Sequence, residues 1–186
     1  MIIVQQVVHL ACRGTSSIRV IADDTDVFVL LLHFYRVKQL TCELVMVATS
    51  PGRTSVDIKA TVEKHGHTIE DLLPAHVLSG CDTVAALWSV GKGTVLKTVK
   101  EGMKRLDKLG EVSESFETIR LQATAFVASC YGHPSCESNT TALRYEVWLK
   151  KMSNHKLNSA PDLKVLPPTS EAFEQHVLRA HLQAAI

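Results

Sequence analysis

The alternation of apolar and polar positions predicts an α/β chain that begins with one strand and one helix. Residues 18–21 (IRVI) are mostly β-branched and nearly continuous, which is typical of a parallel strand covered on both faces. An acidic turn follows, and the apolar run 27–35 is too long and too rich in leucine for a further strand. We therefore predict a helix there, with Asp24 or Thr25 near its cap.

A second apolar run completes a β-α-β unit. Residues 44–48 (LVMVA) predict another buried strand, which ends at the turn signal TSPGR. A right-handed parallel crossover is the expected connection between the two strands. Residues 58–64 predict a short helix, and a capping box at 68–71 predicts that a second helix begins there and continues to Leu78.

Helical spacing accounts for most of the remaining chain. Residues 1–12 predict a helix with Ile3, Val7 and Leu10 on one face and Gly14 at its end. The apolar stripes of the later helices comprise Leu96, Val99, Met103 and Leu106, then Phe116, Ile119, Ala123, Phe126 and Cys130, then Leu143, Val147 and Trp148, and finally Phe173, Val177, Leu178 and Leu182 after a Ser170 cap. A polar, proline-containing connector spans Asn154 to Thr169. We divide the chain into a core (1–110), a helical extension of it (111–153) and a connector with a C-terminal helix (154–186).

Composition and charge narrow the class of protein. The 186 residues are 46% apolar and 21% charged, which fits one domain with a proper core and a helical extension. A formal charge of +1 gives no overall attraction to nucleic acid or membrane, so any basic surface must be local. Five scattered cysteines indicate free thiols and an intracellular protein, nuclear or cytoplasmic. No run approaches the ~20 apolar residues of a membrane span, so no membrane partner is expected.

Carboxylates gather where open α/β sheets place their ligands. Asp23, Asp24 and Asp26 follow the first strand, and Asp82 follows Gly80 at the end of a helix. The alternative interpretation is structural: Asp24 caps the helix while Asp23 and Asp26 face water.

Basic residues cluster behind a pair of glycines. Gly91-Lys92-Gly93 interrupts the helical pattern, and small residues there let backbone amides approach a phosphate. Between residues 92 and 108, six basic residues stand against two acidic ones. The lysines that share one predicted helix face are Lys97, Lys100, Lys104 and Lys108. A row of lysines of this kind can bind a phosphate backbone. An ordinary solvent-exposed helix face would show the same pattern of residues.

The order of these motifs resembles the flap-endonuclease and 5′-exonuclease branch of the PIN-like nucleases. Asp24-Thr25-Asp26 matches the D-x-D that ends a parallel strand, Gly80-Cys81-Asp82 matches the later G-x-D, and Ser89-Val90-Gly91 matches the helix-hairpin-helix element. The similarity covers roughly residues 18 to 105. The chain is also similar to animal proteins that carry S-x-D-T-D-V and G-C-D-T motifs, whose activity is not established.

The resemblance implies a fold and an activity. The fold would be a partial PIN-like three-layer parallel sheet flanked by helices, with a helix-hairpin-helix-type element and a helical C-terminal region. Asp24, Asp26 and Asp82 would be catalytic ligands of Mg²⁺ or Mn²⁺, and Asp23 would lie outside the direct ligands. Duplex or flap-like nucleic acid would be bound without sequence preference by Gly91, Lys92, Gly93, Lys97, Lys100 and Lys104.

Two departures from the nuclease pattern stand out. Ser89 occupies the first hairpin glycine, which weakens a tight turn. The pattern also needs acids from an earlier strand and helix, whereas residues 1–19 contain no Asp or Glu. We therefore expect an N-terminally truncated copy with an incomplete two-metal site.

Other readings remain open. A nuclease-derived module that binds nucleic acid or a protein without cleavage is the main alternative, and a haloacid-dehalogenase-type phosphatase with Asp24 as nucleophile is a weaker one.

Cys130, His133 and Cys136 have zinc-like residue types, but a core thiol is favoured for Cys130. The histidines of the last helix, at 176 and 181, are expected at the surface. Trp88 either stacks on a base or packs against Leu87 or Val90.

Overall fold

A computed structural model describes residues 2–102, 105–153 and 162–185, which contain seven α-helices, three β-strands and two short 3₁₀ helices, Pro134–Cys136 and Leu163–Val165. In chain order the elements are α1 (Ile2–Cys12), β1 (Ser17–Ile21), α2 (Thr25–Val37), β2 (Glu43–Val47), β3 (Val56–Asp57), α3 (Ile58–Leu78), α4 (Lys92–Glu101), α5 (Phe116–Cys130), α6 (Thr140–Ser153) and α7 (Ser170–Ala184). The predicted combination of helices and strands is confirmed at the level of class, whereas the three-layer PIN-like sheet and the helix-hairpin-helix element stay predictions. No helix of the described residues is long and apolar enough to cross a membrane.

The chain forms two compact units, Met1–Leu73 and Pro74–Ile186, and the division falls inside α3. The first unit holds the sheet, and the second is helical over its described residues. The segment boundaries proposed from sequence after residues 110 and 153 stay predictions.

The sheet of the first unit confirms the predicted β-α-β unit. β1 pairs with β2 in parallel, from Ser17 opposite Glu43 to Ile21 opposite Val47, and α2 connects them. β3 then pairs antiparallel with β2. The expectation of a wholly parallel sheet is therefore wrong, because the loop after β2 is short enough to return directly as a hairpin partner.

Only one face of β1 is buried, contrary to the prediction of a strand covered on both faces. Ile18 and Val20 point into the core of the first unit, together with Leu44 of β2, whereas Ile21 is 70% exposed. Alternation of this kind is typical of a half-solvated strand, and here the β-branched Ile21 on the exposed face concealed the pattern.

Two helices of the first unit differ in detail from the predictions. α1 buries Val4 and Val7, while Ile3 and Leu10 lie largely exposed, so the predicted stripe is rotated by about one residue. α3 covers both predicted helices, 58–64 and 68–78, and non-helical dihedral angles at His65 form a kink between its two segments, as the prediction of a break requires. The capping box at Thr68 is wrong, because Thr68 lies buried inside the helix.

The second unit packs α5, α6 and α7 around large apolar side chains. Phe126, Leu143 and Phe173 are almost completely buried, which confirms the main stripes of these helices. α7 departs from its prediction: Thr169 is its N-cap rather than Ser170, and Leu178 and Leu182 are exposed. Part of the predicted connector, residues 154–161, lies outside the described residues.

Candidate functional site

Asp24 begins α2. Its backbone is extended (φ −80°, ψ 129°), and its Oδ1 accepts a hydrogen bond from the amide of Asp26 at 2.9 Å. This is N-cap geometry, and an aspartate there also complements the positive end of the helix dipole. The local geometry therefore agrees with the structural alternative, in which Asp24 caps the helix. The cap bond uses one of the two carboxylate oxygens, and Asp24 itself is exposed.

Asp23 ties the ends of β1 and β2 together, a role that sequence reasoning missed. Its carboxylate accepts hydrogen bonds from the Thr49 amide at 3.1 Å, from the Thr49 hydroxyl and from the Ser50 hydroxyl at 2.8 Å. Arg53 donates to the Asp23 carbonyl at 3.2 Å and lies 4.0 Å from its carboxylate. The hydrogen bonds from the Thr49 and Ser50 side chains lower the pKa of Asp23, and Arg53 lowers it further.

A small cleft opens beside this clamp at the carboxyl edge of the two parallel strands. Its volume is about 170 Å³, and its lining includes Phe28, Met46 and Val56 as apolar surfaces with Asp24 and Arg53 among its polar groups. Open α/β sheets bind ligands at this edge. The cleft can therefore hold a small group that has one apolar face and a charged or polar end.

The acids of the first unit do not form a metal site by themselves. Asp23 directs both carboxylate oxygens to protein donors, and Asp24 uses one oxygen for its cap. Over the described residues, no three His, Cys, Asp or Glu side chains lie close enough together to hold an ion. This donor set does not fit the several carboxylates of a two-metal centre. Binding of Mg²⁺ or Mn²⁺ by Asp24, Asp26 and Asp82 stays a prediction.

Asp82 lies in the second unit, exposed in a tight turn between Cys81 and Val84, which form a bridge. Gly80 sets up this turn with φ +112°, and a Cβ at Gly80 would meet the Cα of Ala86 at only 2.5 Å. The glycine of the G-C-D motif is therefore required by close backbone approach, which is a sufficient reason for its presence.

Lys92 was predicted to hold phosphate, but its ammonium is engaged within the second unit. It donates to the His76 carbonyl at 2.8 Å, to the Ser79 hydroxyl at 3.0 Å and to the Gly80 carbonyl. These three acceptors use the three donors of an ammonium group and lie at the end of α3, where a cation complements the helix dipole. Lys92 is therefore a structural cation in this arrangement.

The two glycines flank the start of α4. Gly91 is the N-cap (φ −80°, ψ 158°) and has no side chain to bond the first amides, while Gly93 lies in the first turn. A Cβ at either glycine would meet nothing within 4 Å. Ser89, the residue predicted to match a hairpin glycine, adopts φ +62°, a backbone region that favours glycine. The first residues of α4 are thus exposed, and its N-cap supplies no side-chain bond.

The predicted lysine stripe is only partly realised, because α4 ends earlier than expected. The helix stops at Gly102, whose φ of +65° is that of a helix-ending glycine, and it buries Val95 and Val99 rather than Leu96. Lys97 and Lys100 are exposed on α4, and Lys97 lies 3.8 Å from Glu101. Such an exposed i,i+4 pair is worth little and leaves the lysine available. Lys104 and Met103 lie outside the described residues.

Lys108 does not belong to α4. It lies in the turn after Leu106 and pairs with Glu114 at 2.9 Å and with Asp107 at 3.7 Å. The Glu114 hydrogen bond and charge raise the pKa of Lys108. Two carboxylates thus offset its charge, and it is removed from the predicted stripe.

The zinc alternative gains no support from the environment of Cys130. Its thiol is buried and lies 3.6 Å from the Thr98 hydroxyl, and burial raises the pKa of Cys130 to about 11. A thiol of this kind stays protonated and is a poor metal ligand. All five cysteines are free.

The prediction that His176 and His181 lie at the surface is wrong for His176, and His181 is half-buried with a partner. Nε2 of His176 donates to the Leu78 carbonyl at 2.7 Å, and the ring is buried. Nδ1 of His181 accepts a hydrogen bond from the Gly110 amide at 3.0 Å. Spacing alone gave no signal for either contact, because each partner lies far away in the sequence.

Comparison with known proteins yields no match to a family model, a curated protein or a solved structure.

Proposed function

We propose that the chain is a nuclease-like α/β domain that binds the sugar–phosphate backbone of nucleic acid without cleaving it by itself. Two parts of this proposal rest on the order of the sequence motifs. They are the PIN-like fold and the Mg²⁺ or Mn²⁺ that a cleaving relative would require. Five unpaired cysteines favour an intracellular setting, nuclear or cytoplasmic, where nucleic acid is the abundant polyanion.

The observation that supports backbone binding is the arrangement of α4. Gly91, the N-cap, has no side chain to bond the first amides, and residues 91–94 are exposed, so an anion can approach the positive end of the helix dipole. Lys97 and Lys100 lie three residues apart further along the helix and are both exposed. Residues at this spacing are neighbours on a helix surface, so the two ammonium groups extend one positive face.

The observation that argues for binding rather than cleavage concerns the acids at β1. A phosphodiesterase of this class holds two metal ions about 4 Å apart with several free carboxylates. Asp23 instead clamps the loop after β2, and Asp24 caps α2. Both residues have structural tasks that account for their positions, whether or not a metal ever binds nearby.

Fluorescence anisotropy of a short labelled duplex tests the proposal, with each mixture then incubated with Mg²⁺ or Mn²⁺ and analysed on a denaturing gel. Binding that weakens as salt is added, with no strand breaks above the buffer control, is the expected result. Absence of binding at low salt would contradict the proposal. Metal-dependent strand cleavage that Asp24→Asn abolishes would show that the domain is a catalyst.

A further inference from the structure

Half of the Trp88 side chain is exposed to solvent. Its neighbours Leu87 and Val90 are both buried, whereas Trp88 itself is 50% exposed. The main chain holds it in place, because the Tyr131 hydroxyl donates to the Trp88 carbonyl at 2.7 Å. A half-exposed indole loses much of the hydrophobic stabilisation that full burial would give. Its exposure is therefore better explained by a role in binding than by packing.

A cation lies over the indole ring. The ammonium nitrogen of Lys164 is 5.6 Å from the ring centroid and 2.8 Å from a carboxylate oxygen of Asp162. The Asp162 carboxylate thus helps to hold the ammonium beside the ring. Because this carboxylate offsets the charge of Lys164, the exposed part of the indole rather than the ammonium is the group available to a ligand. Exposed aromatic side chains are the groups on which proteins stack the bases of single-stranded nucleic acid.

Trp88 is also close in the chain to the proposed backbone-binding helix. It lies three residues before Gly91, the N-cap of α4, and both belong to the second unit. Trp88, Lys97 and Lys100 are all at least partly exposed, so each can meet a ligand of this unit.

We propose that Trp88 is a stacking platform for an unpaired base, so that the preferred ligand is single-stranded nucleic acid or an unpaired end rather than intact duplex. This inference rests on the proposed function and specifies its ligand. A duplex hides both faces of each base inside its own stack, whereas a single strand offers them. One stacked base changes affinity by roughly 5- to 150-fold.

Three ligands of equal length test the platform: oligothymidylate, the same sugar–phosphate chain with abasic sites, and a duplex. The Trp148→Phe variant leaves Trp88 as the sole tryptophan, since the chain has two. Oligothymidylate is expected to quench the emission of Trp88, and the abasic strand is not. Trp88→Ala should weaken oligothymidylate binding by roughly 5- to 150-fold and leave abasic binding unchanged, while Trp88→Phe keeps most of the affinity.

The outcomes separate this inference from the proposed function. Equal binding of oligothymidylate and abasic strand by the unmodified protein would overturn the platform and leave backbone binding intact. Failure of all three ligands to bind would overturn both. Since the abasic comparison needs no substitution, it decides the question even if Trp88→Ala fails to fold.

Discussion

The ammonium of Lys92 donates a hydrogen bond to the carbonyl oxygen of His76 across 2.8 Å, and so joins the start of α4 to the end of α3. Replacing Lys92 with methionine removes this bond and those to Ser79 and Gly80 while keeping an apolar stem of similar length. We expect a loss of about 1.5 to 3 kcal/mol in the free energy of unfolding, as for hydrogen bonds to a charged group. Urea denaturation measures it.

Lys100→Met is the matched control for Lys92, since Lys100 is an exposed lysine on the same helix. Its expected effect is within about 0.5 kcal/mol, as for most surface substitutions. Equal effects of the two variants would show that the Lys92 contacts contribute nothing to stability.

Gly80 provides a sharper test of the turn that carries Asp82. Gly80→Ala places a Cβ 2.5 Å from the Cα of Ala86 at a positive φ, so the backbone must shift. The expected destabilisation is about 2 kcal/mol or more. Gly91→Ala, at φ −80° in open space, is the control and should cost well under half as much. Comparable melting temperatures for the two variants would contradict the turn geometry.

Asp24 is expected to show the substitution pattern of a cap. Asp24→Ala should reduce the free energy of unfolding by about 0.5 to 2 kcal/mol, because the bond to the Asp26 amide is lost. Asp24→Asn keeps an acceptor oxygen and should stay within about half a kcal/mol of the native protein. If asparagine proved as harmful as alanine, the charge of Asp24 rather than its cap would be the important property.

His176 should make stability depend on pH. Burial lowers the pKa of His176 below its ordinary value of 6.5, and nearby Arg179 lowers it further, against the raising effect of the Leu78 hydrogen bond. As the pH falls, His176 is protonated in the unfolded chain before it is protonated in the folded protein. The stabilisation that neutral His176 contributes is therefore complete above about pH 6.5. It decreases as the pH falls through 6.5 towards the lower pKa of the folded state. Burial also lowers the pKa of His33, which adds a change of the same sign.

The difference between the native protein and His176→Gln isolates the contribution of His176. Denaturation with urea between about pH 7.5 and about pH 5 should give a shallower loss of stability in the variant. His67→Gln, at an exposed position, is the control and should retain the native pH profile. Parallel profiles for the native protein and His176→Gln would mean that His176 is not held neutral in the folded state.

The features predictable from sequence are those determined by neighbouring residues. The β-α-β unit and the cap near Asp24 follow from residues 18–48 alone, because periodicity and capping are local effects. The capping box at Thr68 failed because the helical segment that follows the kink at His65 already includes Thr68, whose side chain is buried by tertiary packing.

The candidate site was less predictable because its side chains are paired by tertiary contacts. Asp23 finds Thr49 and Ser50 more than 20 residues later, and the turn signal TSPGR indicated the loop but not its clamp. Lys92 and Lys108 looked like members of one positive stripe, yet the first bonds the end of α3 and the second pairs with Glu114. Helical spacing specifies which residues share a face only as far as the helix continues, and α4 ends at Gly102.

The slope of affinity against salt concentration tests backbone binding by α4 most directly. With Lys92 and Lys108 engaged within the protein, Lys97 and Lys100 are the described lysines of α4 left to neutralise phosphates. Their double replacement by alanine should reduce the slope of log K against log salt by about 1.4 to 1.8, since each released phosphate contact contributes about 0.7 to 0.9.

Lys38→Ala with Lys59→Ala removes the same charge from exposed positions in the first unit and serves as the control. The measurement is anisotropy of a labelled strand titrated at several salt concentrations with the native protein and both double variants. The account predicts a shallower slope for the α4 variant alone. A native affinity that does not change with salt, or an equal decrease in slope for both double variants, would contradict it.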